Sequence, residues 1–202
     1  HLCRIFFTGA FRRPREINDT NVSGLRSAGA FAERGPHGHE GCPPDAGNAM
    51  YVVTPYPNVA YALDLSKPGA PIKGKYSPHP TPSAIGKACC DDVNRGASYY
   101  EGKIIYNVLD NATVAVDAVT GKQLWRTKLA DPNQGSTMTM APLVAKGKVY
   151  VGNSGGEMGV RGWITALDAK TGKIVWQAFH TGPDKDVKIG APFTPFYAEM
   201  HQ

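Results

Sequence analysis

No stretch of this chain approaches the roughly 18 consecutive apolar residues of a membrane-crossing helix, which excludes a helical span. There is no basic stripe interleaved with aromatics either. The 22 Lys and Arg residues are spread along the length, with one tight cluster at Arg12, Arg13 and Arg15, so a net charge of +5 does not point to nucleic acid. Cysteine is scarce: Cys3, Cys42, Cys89 and Cys90 are too few for a disulfide-built scaffold and lack the C-x-x-C spacing of a structural zinc site. Neither an initiating methionine nor an ordered signal peptide stands at His1. The expectation is a processed chain or a piece of a longer one. What the 202 residues do hold is 42% hydrophobic side chains, enough for a core.

Internal repetition is the strongest signal. "TVAVDAVTGKQLW" (113–125) overlays "ITALDAKTGKIVW" (164–176) at an offset of 51 residues, matching Ala115 with Ala166, Asp117 with Asp168, Gly121 with Gly172 and Trp125 with Trp176. A weaker copy, "VAYALDLSKPG", puts Asp64 another 53 residues upstream and loses the tryptophan. Each copy follows a β-branched or aromatic run: "GNAMYVVTP", "GKIIYNVLD" and "GKVYVGNSG". Such runs, separated by Gly, Asn and Asp, read as antiparallel hairpins. The alternation in "TVAVDA" assigns one face to Val114 and Val116, the turn D-A-x-T-G-K supplies a glycine for reversal, and the tryptophan can bury its ring on the neighbouring unit. Four-stranded repeats of ~40 to 50 residues predict an all-β fold of the propeller type, with a solenoid of sheets as the alternative. Known rings need ~4 to 8 blades, so about three or four blades here predict a partial β-propeller, an arc of a larger ring.

The third repeat is broken. Its hairpin glycine and its aspartate, Gly147 and Asp168, lie 21 residues apart, against 15 for Gly102 and Asp117 and 17 for Gly47 and Asp64. The excess reads "GNSGGEMGVRGW", which is not the dinucleotide motif G-x-G-x-x-G. Glycines let backbone approach a second object closely. Glu157 among them is either a solvated glutamate on a hairpin tip or a carboxylate for a hard cation, which takes oxygen ligands. "HGHEG" offers His37, His39 and Glu40, yet on a strand the two histidines share one face and Glu40 takes the other, which argues against a transition-metal cluster.

"KACCDDVNRG" sets Cys89 against Cys90. Consecutive Cα atoms lie about 3.8 Å apart, whereas most disulfides span ~4.4 to 6.8 Å, so a bond between them would be strained and favoured by an oxidising compartment. Its flat sulfur face could pack on a planar ligand, with Arg95 near enough to meet a carboxylate. Two unlinked core thiols are the alternative reading.

With "GHEG" (38–41), "CCDDVNRG" (89–96), "TMAP" (139–142), "GNSGGEMGVRGW" (152–163), "TGPDKDV" (181–187) and the repeated A-x-D-x-x-T-G-x-x-x-W in order, the chain from Asn21 to Tyr197 resembles the pyrroloquinoline quinone (PQQ)-dependent methanol dehydrogenase large subunits. The resemblance implies an eight-bladed propeller truncated here at residue 202, with residues 1–20 a divergent segment and 21–202 a partial PQQ-binding domain. It implies that Cys89 and Cys90 form a disulfide wall of the quinone pocket, and that Glu40, Arg95, Thr139 and Ser154 bind the quinone's polar groups. Gly155 and Gly156 would flank it, and Glu157 would bind the metal, Ca2+ or a lanthanide, the wording leaning to the lanthanide branch. It further implies oxidation of a primary alcohol such as methanol by hydride transfer to metal-activated PQQ, electrons passing to a c-type cytochrome, in a periplasmic homodimer. The catalytic base matches no position here, so this stretch alone is expected to be inactive. Cys42 has no counterpart in the resemblance. Two other readings share the repeat: a non-enzymatic propeller scaffold of the outer-membrane assembly type, and a quinoprotein for larger alcohols.

Overall fold

Three four-stranded antiparallel sheets follow one another along the chain in the computed structural model, which describes residues 17–27, 29–32, 38–88 and 91–187. The first holds β1 (Asp45–Ala46), β2 (Ala49–Val53), β3 (Ala60–Asp64) and β4 (Ile72–Tyr76); the second β5 (Ala97–Tyr100), β6 (Lys103–Val108), β7 (Ala112–Asp117) and β8 (Gln123–Lys128). The third holds β9 (Leu143–Ala145), β10 (Lys148–Gly152), β11 (Trp163–Asp168) and β12 (Ile174–Phe179), and a single turn of helix, α1 (Asp184–Val187), follows it. Strands are in sequence order within every sheet, as the hairpin repeats require. These are three blades of a propeller, and the all-β expectation holds.

Register is repeated as faithfully as sequence. Ala62 pairs with Gly74, Ala115 with Trp125 and Ala166 with Trp176, and each time a bulge falls at the next residue. The bulge lets the outermost strand keep its twist while the preceding turn closes on its aspartate. Asp117 Oδ1 accepts from the Thr120 amide at 2.7 Å and the Thr120 hydroxyl at 2.9 Å; Asp168 does the same with Thr171, both at 2.8 Å. Asp64 takes the Ser66 amide at 3.0 Å.

The alternation in "TVAVDA" assigns Val114 and Val116 to one face, and they do share one, but β7 is buried from Ala112 to Val116 without interruption. Val114 and Val116, with Ile104, Tyr106 and Val108, pack against Tyr51, Val53 and Ala60 of the first blade. Ile105 and Ala115 on the other face pack with Trp125, Val149, Trp163 and Leu167 toward the third. A blade between two others buries both faces, so period-two polarity fades where burial is greatest.

Trp125 joins the second blade to the third. The residue is 8% exposed, its Nε1 donates to the Ala169 carbonyl at 3.2 Å, and Thr127 Oγ1 donates to the Gly172 carbonyl at 2.6 Å. Gly172 has φ +70° and lies under the indole so closely that a Cβ there would sit 2.6 Å from Trp125 Cε3. Only glycine serves both demands.

Candidate cofactor-binding site

The turns that carry Asp117 and Asp168 lie at one end of the blades; at the other end, the segments leading into the first strands converge. Glu40 precedes β1, Arg95 precedes β5 and Thr139 precedes β9, so one residue from each blade's entry meets its neighbours. Arg95 is the centre of the group. Its Nη2 lies 3.0 Å from Glu40 Oε2, its Nη1 donates to Thr139 Oγ1 at 2.7 Å, and its backbone amide donates to the Thr139 carbonyl at 2.9 Å. The Arg95 and Glu40 side chains remain 45% and 48% exposed, so the pair keeps donor and acceptor capacity for a ligand. Thr139 is buried.

Buried amides hold this end in place. Asn94 Nδ2 donates to the Asn107 carbonyl at 2.8 Å, and Asn107 Nδ2 reaches the Met140 carbonyl at 3.0 Å while its Oδ1 accepts from Thr113 at 2.8 Å. Ser98 Oγ donates to the Pro142 carbonyl at 2.5 Å. The Arg95 and Thr139 segments are therefore tied to β6 and to each other, and the guanidinium is aimed before any ligand arrives. The sequence reading missed these residues. Asparagine inside a strand-forming run such as "IIYNVLDN" was the available signal, since Asn is depleted in strands unless its amide has a task.

The glycine-rich excursion joins the same end. Thr137 and Ser154 pair across an isolated bridge, with the Ser154 amide donating to the Thr137 carbonyl at 2.8 Å, which sets Ser154 two residues from Thr139 along the facing segment. Gly155, buried at φ +118°, backs onto Gly135, where a Cβ would meet the carbonyl oxygen at 2.3 Å. Gly156 to Met158 then make one 3-10 turn that lifts Glu157 to an exposed position. Thr137 Oγ1 is buried without a hydrogen-bond partner.

The structure thus brings Arg95 into direct contact with Glu40 and with Thr139, and bridges Ser154 to Thr137, two residues from Thr139, with Gly155 and Gly156 following it in the chain. Glu157 is presented from the adjoining turn. Cys89 and Cys90 lie outside the described residues, as does His37. Residues 38–41 form no strand, so the alternating-face argument made for "HGHEG" does not apply; among the described residues no cluster of three or more His, Cys, Asp or Glu could hold a metal ion. Cys42 is disulfide-bonded. Its backbone is set by a parallel bridge to Gly96, and its amide donates to the Arg95 carbonyl at 3.3 Å.

A planar, polyanionic quinone fits this arrangement on its donor chemistry: a half-exposed guanidinium, Arg95, with the hydroxyls of Thr139 and Ser154 in the adjoining segments. A hard cation finds the exposed carboxylate of Glu157 and would need further oxygen ligands from elsewhere.

Known proteins match at the level of both sequence and fold. A family model described as "Outer membrane protein assembly factor BamB", PQQ_2, matches residues 80–199. The lanthanide-dependent methanol dehydrogenase of Methylacidiphilum fumariolicum (strain SolV) is 49% identical over 178 residues, 88% of this chain and 29% of the relative. Methanol dehydrogenase [cytochrome c] subunit 1 of Paracoccus denitrificans is 44% identical over 195 residues, 92% of this chain and 31% of the relative. A solved europium-containing methanol dehydrogenase superposes with a TM-score of 0.83 at 49% identity, covering 87% of this chain and 31% of that one. The chain therefore spans about a third of the length of these relatives.

Proposed function

The chain belongs to the PQQ-repeat propeller family, and from that premise we propose that it is the cofactor-binding arc of a PQQ-dependent alcohol dehydrogenase of the methanol dehydrogenase type. The observation that carries this reading is Arg95, fixed by Thr139, paired with Glu40 and still half exposed where three blades meet. A scaffold of the same repeat needs the docked tryptophan and the aspartate turns. It has no use for a preorganised, half-exposed guanidinium at the other end.

In this reading Arg95 engages the quinone's anionic and carbonyl edges, Glu40 borders the quinone and holds that guanidinium in place, Thr139 and Ser154 add hydroxyl contacts, and Gly155 and Gly156 leave room for the ring's rim. Cys89 and Cys90, joined to each other, supply one face. Glu157 contributes a carboxylate to a hard cation beside the quinone; a lanthanide is favoured over Ca2+ because a relative named for lanthanide dependence is 49% identical. Bound PQQ with its cation would supply a hydride acceptor for a primary alcohol such as methanol. The chain's own part is to orient that acceptor and hold its charge. Electron delivery to a c-type cytochrome and a periplasmic site of action complete the proposal, supported by the cytochrome named for the Paracoccus relative.

Binding of PQQ to the full-length protein, followed by absorbance titration, tests the arrangement. Arg95→Ala should weaken binding at least about tenfold, the loss of a charge-assisted contact, with Arg95→Lys in between. Unchanged affinity in Arg95→Ala would refute the assignment.

A further inference from the structure

The joint between the first two blades lacks the indole that locks the next one. Gly74 occupies the register position of Trp125, paired with Ala62 as Trp125 is with Ala115. The turn that should receive an indole is nonetheless built. Gly121 has φ +70°, the same as Gly172; but whereas Gly172 is covered by the Trp125 ring, a Cβ on Gly121 would find only the Lys75 carbonyl, at 3.9 Å. The acceptor is present too and already taken: Tyr51 donates its hydroxyl to the Ala118 carbonyl at 3.1 Å, the counterpart of the Ala169 carbonyl that Trp125 holds. Tyr51 comes from β2 and supplies the hydrogen bond but not the ring volume.

What remains is a cavity of about 80 Å³ lined by Tyr51, Ala60, Ala62, Tyr76, Ile104 and Val116, floored by the Ala118–Gly121 turn. We propose that this vacated indole slot binds a neutral planar aromatic molecule, with its ring against Gly121 where Trp125 lies against Gly172. The lining is mostly apolar with an aromatic edge, the chemistry that takes aromatic rings by offset or edge contact, and Lys73, Lys75, Asp117 and Thr120 complete it. The neighbouring joint shows the occupant such a turn accepts. A dry cavity of ~150 Å³ is known to hold benzene. The present slot is smaller and open on one side, so a ring enters by one edge and its affinity is weak, with a dissociation constant on the order of 1 mM. The site is remote in kind from the quinone pocket and does not depend on it.

Indole and N-methylindole, titrated into the full-length protein and followed by ligand-observed NMR, test this. The unsubstituted protein should bind both alike and saturably, because the Ala118 carbonyl is occupied by Tyr51. Gly74→Trp should lower binding at least about tenfold, as an intramolecular ring fills the slot. Gly74 meets nothing nearer than the Ala62 Cβ at 4.0 Å, so the larger side chain has room. Tyr51→Phe releases the carbonyl, and indole should then bind about fivefold better than N-methylindole, the worth of one hydrogen bond. No saturable binding by the unsubstituted protein, or equal binding by Gly74→Trp, overturns the proposal. Should Gly74→Trp lose its circular dichroism signal, Gly74→Leu takes its place with the same expected loss.

Discussion

The two ends of the blades are held by different chemistry. At the turn end, each blade repeats one device: an aspartate that gathers its own backbone amides, a glycine beyond it and, between the second and third blades, an indole laid on that glycine. At the entry end nothing repeats. Glu40, Arg95 and Thr139 are three different side chains in comparable places, steadied by buried asparagines of the second blade, one of which reaches the segment entering the third. Repetition builds the scaffold; its suspension builds the site. A ligand pocket is asymmetric because its ligand is, so the strands can be copied while the segments entering them cannot.

Substitutions should separate the two ends. Trp125→Ala should cost about 3–5 kcal/mol of stability in urea unfolding, the usual loss for a buried aromatic, and leave PQQ affinity unchanged in the folded fraction. Arg95→Ala reverses the pattern. Its pair with Glu40 is half exposed and adds little to stability, under about 1 kcal/mol, while quinone affinity falls by the factor given above. Asn107→Ala should affect stability and binding together: it strips the partners of the Met140 carbonyl and the Thr113 hydroxyl, so about 1–3 kcal/mol of stability and part of the affinity should be lost.

Acid should act first and most weakly, at the turn end. The Ser66 hydroxyl, then Lys67, hold the Asp64 carboxyl down from 3.8 to about 2, and the Thr120 and Thr171 hydrogen bonds lower Asp117 and Asp168 in the same direction. A folded-state value below the unfolded one means stability that is complete above about pH 4 and is lost as pH falls toward about 2. Asp64→Asn should flatten that part of a stability-versus-pH curve; an unaltered slope would show that the turn aspartates do not govern it.

Legibility in the sequence follows the same division. The strands, their order and the docked tryptophan were readable because a period of 51 residues writes each of them twice, and because Ala, Asp, Gly and Trp have positional reasons that survive in any copy. The burial of both faces of β7 was not readable, since it depends on the blades on either side. Arg95 and Glu40 stand 55 residues apart, and no local pattern joins them; family resemblance named both, and the structure supplied the 3.0 Å between them. Cys42 went the other way. Without a counterpart in the resemblance it was simply unexpected, yet it is disulfide-bonded beside Arg95. Peptide mapping under non-reducing conditions decides its consequence: a bond from Cys42 to Cys89 or Cys90 excludes the adjacent-cysteine wall, whereas a bond to Cys3 leaves that wall intact.

In the proposed function the entry end holds PQQ for alcohol oxidation. Reconstitution of the full-length protein with PQQ and either La3+ or Ca2+, assayed by dye-linked oxidation of methanol, is the decisive measurement. Turnover with PQQ and metal, higher with La3+, and its loss in Arg95→Ala or Glu157→Gln are the predicted results; failure of both metals to support any methanol oxidation would contradict the account.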